Sequence, residues 1–179
     1  MLLLFLFFVE KKVFVTTPTK NYTSRDFGQM FLDLGAPVSA TVWNRSKDLI
    51  SDLVHPQVNA YCLYGWNIKT PIHLTYPKGF PSDPSKVNDP TVDYSDLGDG
   101  TVPLFSLVEC KNWIKLEHTS HQVNCKEYKL IDHTQILKEE QLHLDLLEII
   151  SGKSNIKGCD DTQTPKFKEA VAENLKMKK

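Results

Sequence analysis

At 179 residues, 41% of them apolar, the chain is long enough for one domain with a real core. Its formal net charge of −1 implies no basic face for nucleic acid. Four cysteines, together with the sequons Asn21-Tyr22-Thr23 and Asn44-Arg45-Ser46, favour an oxidising, glycosylating compartment over the cytosol.

Leu2 to Val9 is an unbroken apolar run bounded by Glu10, Lys11 and Lys12. It is shorter than the roughly 20 residues a bilayer span requires, and it lacks the positive n-region and small-residue cleavage site of a signal peptide. A competing reading is an artificial start in which the run replaces an upstream segment, so residues 1–12 are set apart. Val13 to Thr16 is expected to be extended, with Pro18 ending it. Thr23 or Ser24 caps a predicted helix carrying Phe27, Met30, Phe31 and Leu34, stopped by Gly35-Ala36-Pro37. A second helix is predicted from Ser46 to Leu53, before Pro56. Val58 to Gly65 reads as a buried strand closed by glycine.

Residues 66 to 96 carry Pro71, Pro77, Pro81, Pro84 and Pro90, which forbid a long helix. Ile72, Leu74, Tyr76 and Phe80 are apolar anchors, so an ordered excursion of short extended pieces is expected rather than disorder. A strand-turn-helix around Asp99 follows, with Leu104, Leu107, Val108 and Trp113 on the inner face of its helix. Gln122 to Ile131 is a predicted strand. A helix bearing Leu142, Leu146, Ile149 and Ile150 on one face comes next, ended by Gly152. From Lys153 the chain is Lys-rich and weakly periodic, which predicts a flexible tail or a short surface helix.

Chemistry concentrates at two places. In Leu97-Gly98-Asp99-Gly100-Thr101-Val102 a carboxylate stands between two glycines, a composition suited to a sharp turn at a sheet's end. His133, in Asp132-His133-Thr134, leaves the next predicted strand rather than lying within an apolar face. An Asp and a His on successive loops at one end of an α/β sheet can form the Asp–His pair of a serine-type triad, the carboxylate fixing the imidazole tautomer. No Gly-x-Ser-x-Gly occurs in the 179 residues. His118 and His121 lie three apart, but without a Cys-x-x-Cys they do not point to zinc. His55 and His73, beside prolines, and His143, within a predicted helix, read as surface or boundary residues.

The runs VFVTTPTKNYTSRDF, YCLYGWNIKTP and GDGTVPLFSLVEC, with a histidine opening the last helix, resemble the lecithin:cholesterol acyltransferase family from about Val13 to Ile150. The resemblance gives out beyond residue 152. It implies the C-terminal portion of an α/β-hydrolase fold with an incomplete central sheet, spanning 13–152. It also implies catalytic roles for Asp99 and His133, a disulfide between Cys62 and Cys110, and a shared sequon at Asn21. Cys125 and Cys159 have no assignable family counterpart, and their pairing stays open. The family's nucleophile elbow, oxyanion hole and lid belong to sequence preceding residue 13, so a truncated gene model of a longer protein is expected. The implied activity is acyl transfer through a covalent intermediate, from a phospholipid at a membrane or lipoprotein surface to water or a lipid alcohol, without metal or cofactor. A lysosomal or extracellular location is implied, and a non-catalytic short form or a split subunit binding lipid or a partner chain is the alternative.

Overall fold

The computed structural model describes residues 12–49, 56–81, 89–115 and 121–159. They fall into two compact units, one drawn from 12–49, 71–81 and 89–94, the other from 56–70, 95–115 and 121–159.

In the first unit, β1 (Val13–Thr16) and β2 (Asn21–Thr23) pair antiparallel. Thr17 closes the turn between them, its amide donating to the Lys20 carbonyl at 2.9 Å, with Pro18 at a position that favours its fixed φ. β4 (Thr70–Thr75) lies parallel to β1, and β5 (Thr91–Ser95) completes the sheet in the order β2-β1-β4-β5. The described parts of the 66–96 excursion, 66–81 and 89–96, thus hold two strands, with Tyr76 and Phe80 in edge-on ring contact at 5.1 Å; residues 82–88, Pro84 among them, fall outside the described residues.

A 3-10 turn, Ser24–Asp26, opens α1 (Phe27–Asp33), and Asp26 Oδ2 accepts from the Thr23 amide and hydroxyl at 2.9 and 2.7 Å. Gly35 takes a left-handed φ of 72°, which ends this helical stretch. The second helix lies earlier in the chain than the predicted Ser46–Leu53. α2 runs Pro37–Ser46, ending where the predicted Ser46–Leu53 helix was to begin. Proline in the first turn costs no hydrogen bond and has its φ already set, and Ala40 and Trp43, three apart, supply a buried face. Residues 50–53 lie outside the described residues. Phe27, buried, meets Trp43 edge-on at 5.2 Å and Phe14 at 6.0 Å, joining α1, α2 and β1.

The second unit is built on β3 (Ala60–Trp66) and β6 (Val123–Lys129), which pair parallel over seven residues from Ala60↔Val123 to Trp66↔Lys129. Together with helices and the mixed sheet of the first unit, this places the chain in the α/β class. Tyr64, Trp66 and Leu104 form a buried cluster with Leu97, Leu107 and Val108 packed on it. The predicted long helix after Asp99 is shorter than expected: α3 is Leu104–Leu107, followed by a 3-10 segment, Glu109–Lys115.

The apolar face predicted for the last helix also needs correction. α4 (Glu140–Ile150) buries Leu142 and Asp145, while Leu146 is 39% and Ile150 82% exposed. Asp145 decides the rotation, accepting from Lys126 Nζ at 2.8 Å and Tyr128 Oη at 2.5 Å on β6. Gly152, at φ 72°, terminates the helix. Residues 153–159 run on without regular structure and return to β6, where the Cys125 amide donates to the Gly158 carbonyl at 2.9 Å. No helix among the described residues is long and apolar enough to cross a membrane.

Candidate active site

The Asp99 turn is held by backbone and a single buried hydroxyl. Asp99 Oδ1 accepts from the amides of Thr101 at 2.9 Å and Val102 at 2.6 Å, so the carboxylate caps its own turn. Thr70, fully buried, accepts from the Gly100 amide at 2.8 Å through the hydroxyl that it donates to the Ile68 carbonyl. Both glycines have a reason. A methyl group at Gly98 would overlap the Thr70 hydroxyl and lie 2.7 Å from the Val102 carbonyl oxygen, and Gly100 takes φ 89°. No regular strand leads directly into the turn: β5 ends at Ser95, and Asp99 instead makes an isolated parallel bridge with Ile68, just past the end of β3.

His133 arrives from the end of β6. Leu130 turns the chain at a left-handed φ of 62°, its amide donating to the Trp66 carbonyl at 2.8 Å. Ile131 then crosses against Gly65, where an added Cβ would lie 3.0 Å from the Ile131 carbonyl carbon. Gly65, expected to close its strand, instead lies within β3, which runs on to Trp66, and its missing side chain admits the backbone that carries His133. Asp132 steadies the next step, its Oδ1 accepting from the Thr134 amide at 2.8 Å, the Thr134 hydroxyl at 2.9 Å and the Gln135 amide at 2.7 Å. The Gln135 and Thr134 amides hold the Asp132 carboxyl below its ordinary pKa.

These paths bring Asp99 and His133 together twice. The His133 amide donates to the Asp99 carbonyl at 2.9 Å, and His133 Nδ1 lies 2.8 Å from Asp99 Oδ2. Asp99 is buried at 4% exposure, whereas the His133 side chain is about one-third exposed. With the carboxylate ionised, Nδ1 carries the proton and Nε2 is left as the acceptor. Among the described residues nothing engages Nε2. Such a pair can draw a proton from a hydroxyl brought to Nε2 while Asp99 stabilises the resulting imidazolium.

Cys62 on β3 is joined to Cys110 in the 3-10 segment, with a Cα–Cα separation of 6.6 Å, so the disulfide spans the chain that carries Asp99. Cys125 is joined to Cys159, the pairing the sequence left open. Asn21 and Asn44 are both exposed, as carriers of glycans must be. His73 is a boundary residue, half-buried in β4, with Nε2 3.0 Å from the Thr16 hydroxyl and Nδ1 3.1 Å from Asp93. His143 is on α4, its Nε2 2.9 Å from the Leu137 carbonyl. His55 and His118 lie outside the described residues. The only grouping of His, Cys, Asp and Glu among the described residues close enough to hold a metal is Cys62, Cys110 and Cys125, whose sulfurs are all in disulfides. Sequence reasoning missed Thr70 and Asp132; an Asp immediately before the histidine and a Thr ahead of Pro71 were visible, but only folding shows what each bonds.

The family described as lecithin:cholesterol acyltransferase matches residues 41–148, more than half of the chain. The lysosomal phospholipase A and acyltransferase of Canis lupus familiaris is 36% identical over 127 residues, 71% of this chain and 29% of that protein. The protein of the same name in Homo sapiens is 35% identical over the same shares. The phosphatidylcholine-sterol acyltransferase of Homo sapiens is 42% identical over 104 residues, 58% of this chain and 22% of that protein. The chain thus spans less than a third of the length of these relatives, and by the extent of the family match it belongs to the lecithin:cholesterol acyltransferase family.

Proposed function

We propose that this chain forms the Asp–His portion of a lipid acyl hydrolase and O-acyltransferase of the α/β-hydrolase type, acting on phospholipids. The observation that carries the reading is the 2.8 Å contact between His133 Nδ1 and buried Asp99, with Nε2 left as the acceptor. Family membership supports the substrate class, since the relatives are named for phospholipase and acyltransferase activity. In the proposed mechanism His133 Nε2 takes the proton of a serine contributed by sequence outside these 179 residues. The serine oxygen attacks the ester carbonyl of a phospholipid, and His133 returns the proton to the departing lysolipid. Water or a lipid alcohol then accepts the acyl group through the same histidine. Asp99 acts throughout as the group that holds the ring and its charge. The chemistry asks for no metal or cofactor.

Lysosomal or extracellular residence fits this reading, given two disulfides, two exposed sequon asparagines and a relative named as lysosomal. Residues 13–152 serve as the hydrolase portion. Leu137, Leu147 and Ile150, at 73%, 65% and 82% exposed, are the apolar surface that the rest of such a fold would cover.

The test is to map the 5′ end of the transcript, express the longest open frame, and follow fatty acid and lysophospholipid release from phosphatidylcholine vesicles. Activity that disappears in His133→Gln is the expected result. A long form whose activity survives that substitution would exclude the mechanism. A message that begins at Met1, with the short protein accumulating, would instead favour a non-catalytic lipid- or partner-binding form, or a split subunit.

A further inference from the structure

The register of β3 on β6 places Cys62 directly opposite Cys125. Both residues are already bonded elsewhere, Cys62 to Cys110 and Cys125 to Cys159. The sulfurs of Cys62, Cys110 and Cys125 nevertheless all lie within 4.8 Å of one another. Paired strands run about 4.8 Å apart, inside the roughly 4.4–6.8 Å of Cα separation that a disulfide spans. A cross-strand bond between Cys62 and Cys125 therefore requires side-chain rotation rather than strand movement. All four cysteines are half-buried, not sealed in the core. Residues 153–159, which carry the partner of Cys125, have no regular structure; the hydrogen bonds that tie them to β6 include the Cys125 amide to Gly158 carbonyl bond and the Gly158 amide to Asn124 Oδ1 bond, both 2.9 Å, beside a weak Cys159 Sγ contact with the Val123 carbonyl.

We propose that the two disulfides form one thiol-exchange site, in which an external small-molecule thiol moves the bond from Cys62–Cys110 to Cys62–Cys125. A thiolate attacks Cys159 Sγ, forming a mixed disulfide there and expelling the Cys125 thiolate. That thiolate attacks Cys62 Sγ across the strand pair, forming Cys62–Cys125 and expelling the Cys110 thiolate, which takes up a proton from water. Two disulfides are present before and after, so no net oxidation occurs. The outcome unties the Glu109–Lys115 segment from β3 and the 153–159 segment from β6, while the strand pair gains a covalent rung. The site is independent of the catalytic reading.

Reduced glutathione is the probe, added to the oxidised 179-residue chain under native conditions and quenched with N-ethylmaleimide before peptide mass mapping. The wild type is expected to yield a Cys62–Cys125 linked peptide together with labelled Cys110. Cys159→Ser, which leaves Cys125 without its partner, is expected to form the Cys62–Cys125 peptide with no added thiol. In Cys125→Ser the linked peptide is lost, and Cys110 stays unlabelled at the glutathione concentration that converts the wild type. Cys159→Ser retaining Cys62–Cys110 with labelled Cys125 would overturn the proposal. Should that variant fail to fold, a wild-type time course in which Cys125 and Cys159 become labelled and the cross-strand peptide never appears would overturn it equally.

Discussion

Asp99→Asn isolates the role of one carboxylate oxygen. Oδ1 is committed to the Thr101 and Val102 amides at 2.9 and 2.6 Å, and an asparagine oxygen can keep both bonds. The side-chain NH2 then takes the place of Oδ2, 2.8 Å from His133 Nδ1, where two donors would face each other. The ring escapes by moving its proton to Nε2, which leaves the wrong nitrogen to accept a serine proton. In serine proteases the same swap lowers turnover about 10⁴-fold with geometry intact, corresponding to about 5 kcal/mol of transition-state stabilisation. The expected outcome is a loss of that order in vesicle phospholipid hydrolysis by a form carrying an upstream Gly-x-Ser-x-Gly, with little change in melting temperature. Imidazole ¹⁵N spectra of the 179-residue chain should show the Nδ1 proton in the wild type and the Nε2 proton in the variant. Turnover within tenfold of wild type, alongside a switched tautomer, would refute the assigned role of the pair.

Three further substitutions probe what positions that pair. Thr70→Val removes the hydroxyl that accepts the Gly100 amide, leaving a polar group of the turn unpaired; a loss of about 1–3 kcal/mol in urea unfolding is expected, together with reduced turnover. Gly65→Ala pushes a methyl into the Ile131 backbone, and overpacking of about 1–3 kcal/mol should lower the melting temperature and turnover, whereas Gly79→Ala, with open space around it but a positive φ, should affect stability alone. Asp145→Asn strips the charge from the link between α4 and β6 and should destabilise by about 2–3 kcal/mol at pH 7, below the full value for a buried pair because Lys126 is one-third exposed. Burial opposes ionisation of Asp145, but hydrogen bonds from Lys126, Tyr128 and Gln141 outweigh it and hold the carboxyl below its ordinary pKa. The unfolded chain therefore binds the proton first as pH falls, so the contribution is complete above about pH 4 and is lost as pH drops through the lower folded value. The wild-type advantage over Asp145→Asn should shrink toward pH 2, and a constant advantage across that range would contradict the ion-pair reading.

Much of the candidate site was legible in the residues themselves. Asp99 between glycines and His133 just past an apolar strand stand out because turns that carry functional groups need small neighbours and a strand's end to hold them. The first helix and the strands at β3 and β6 follow from apolar spacing, whose period is local to each segment. Spacing fails where burial is decided by a distant partner. Trp43 draws Pro37–Ser46 into the helix because Phe27 and Phe31 are there to receive it, and nothing within residues 46–53 reveals that. α4 is apolar around a wide arc, so its inward face was set by Lys126 and Tyr128 bonding Asp145, one polar contact overriding several equivalent apolar choices.

The same division holds for covalent and polar links. Four cysteines and two sequons are written in the chain, and they speak to compartment because thiols and glycans are chemically fixed by it. Which cysteine faces which depends on the register of two strands more than fifty residues apart, and register is a property of the folded pair. Thr70 reads as an ordinary threonine before a proline until Gly100 is folded onto its hydroxyl. Residue chemistry thus identified a family and proposed a candidate Asp and His from local pattern alone, whereas tertiary structure decided their 2.8 Å approach, the loops that enforce it and the sulfurs that lie beside one another. Those are long-range contacts, and their free energy arises only when both partners are brought together.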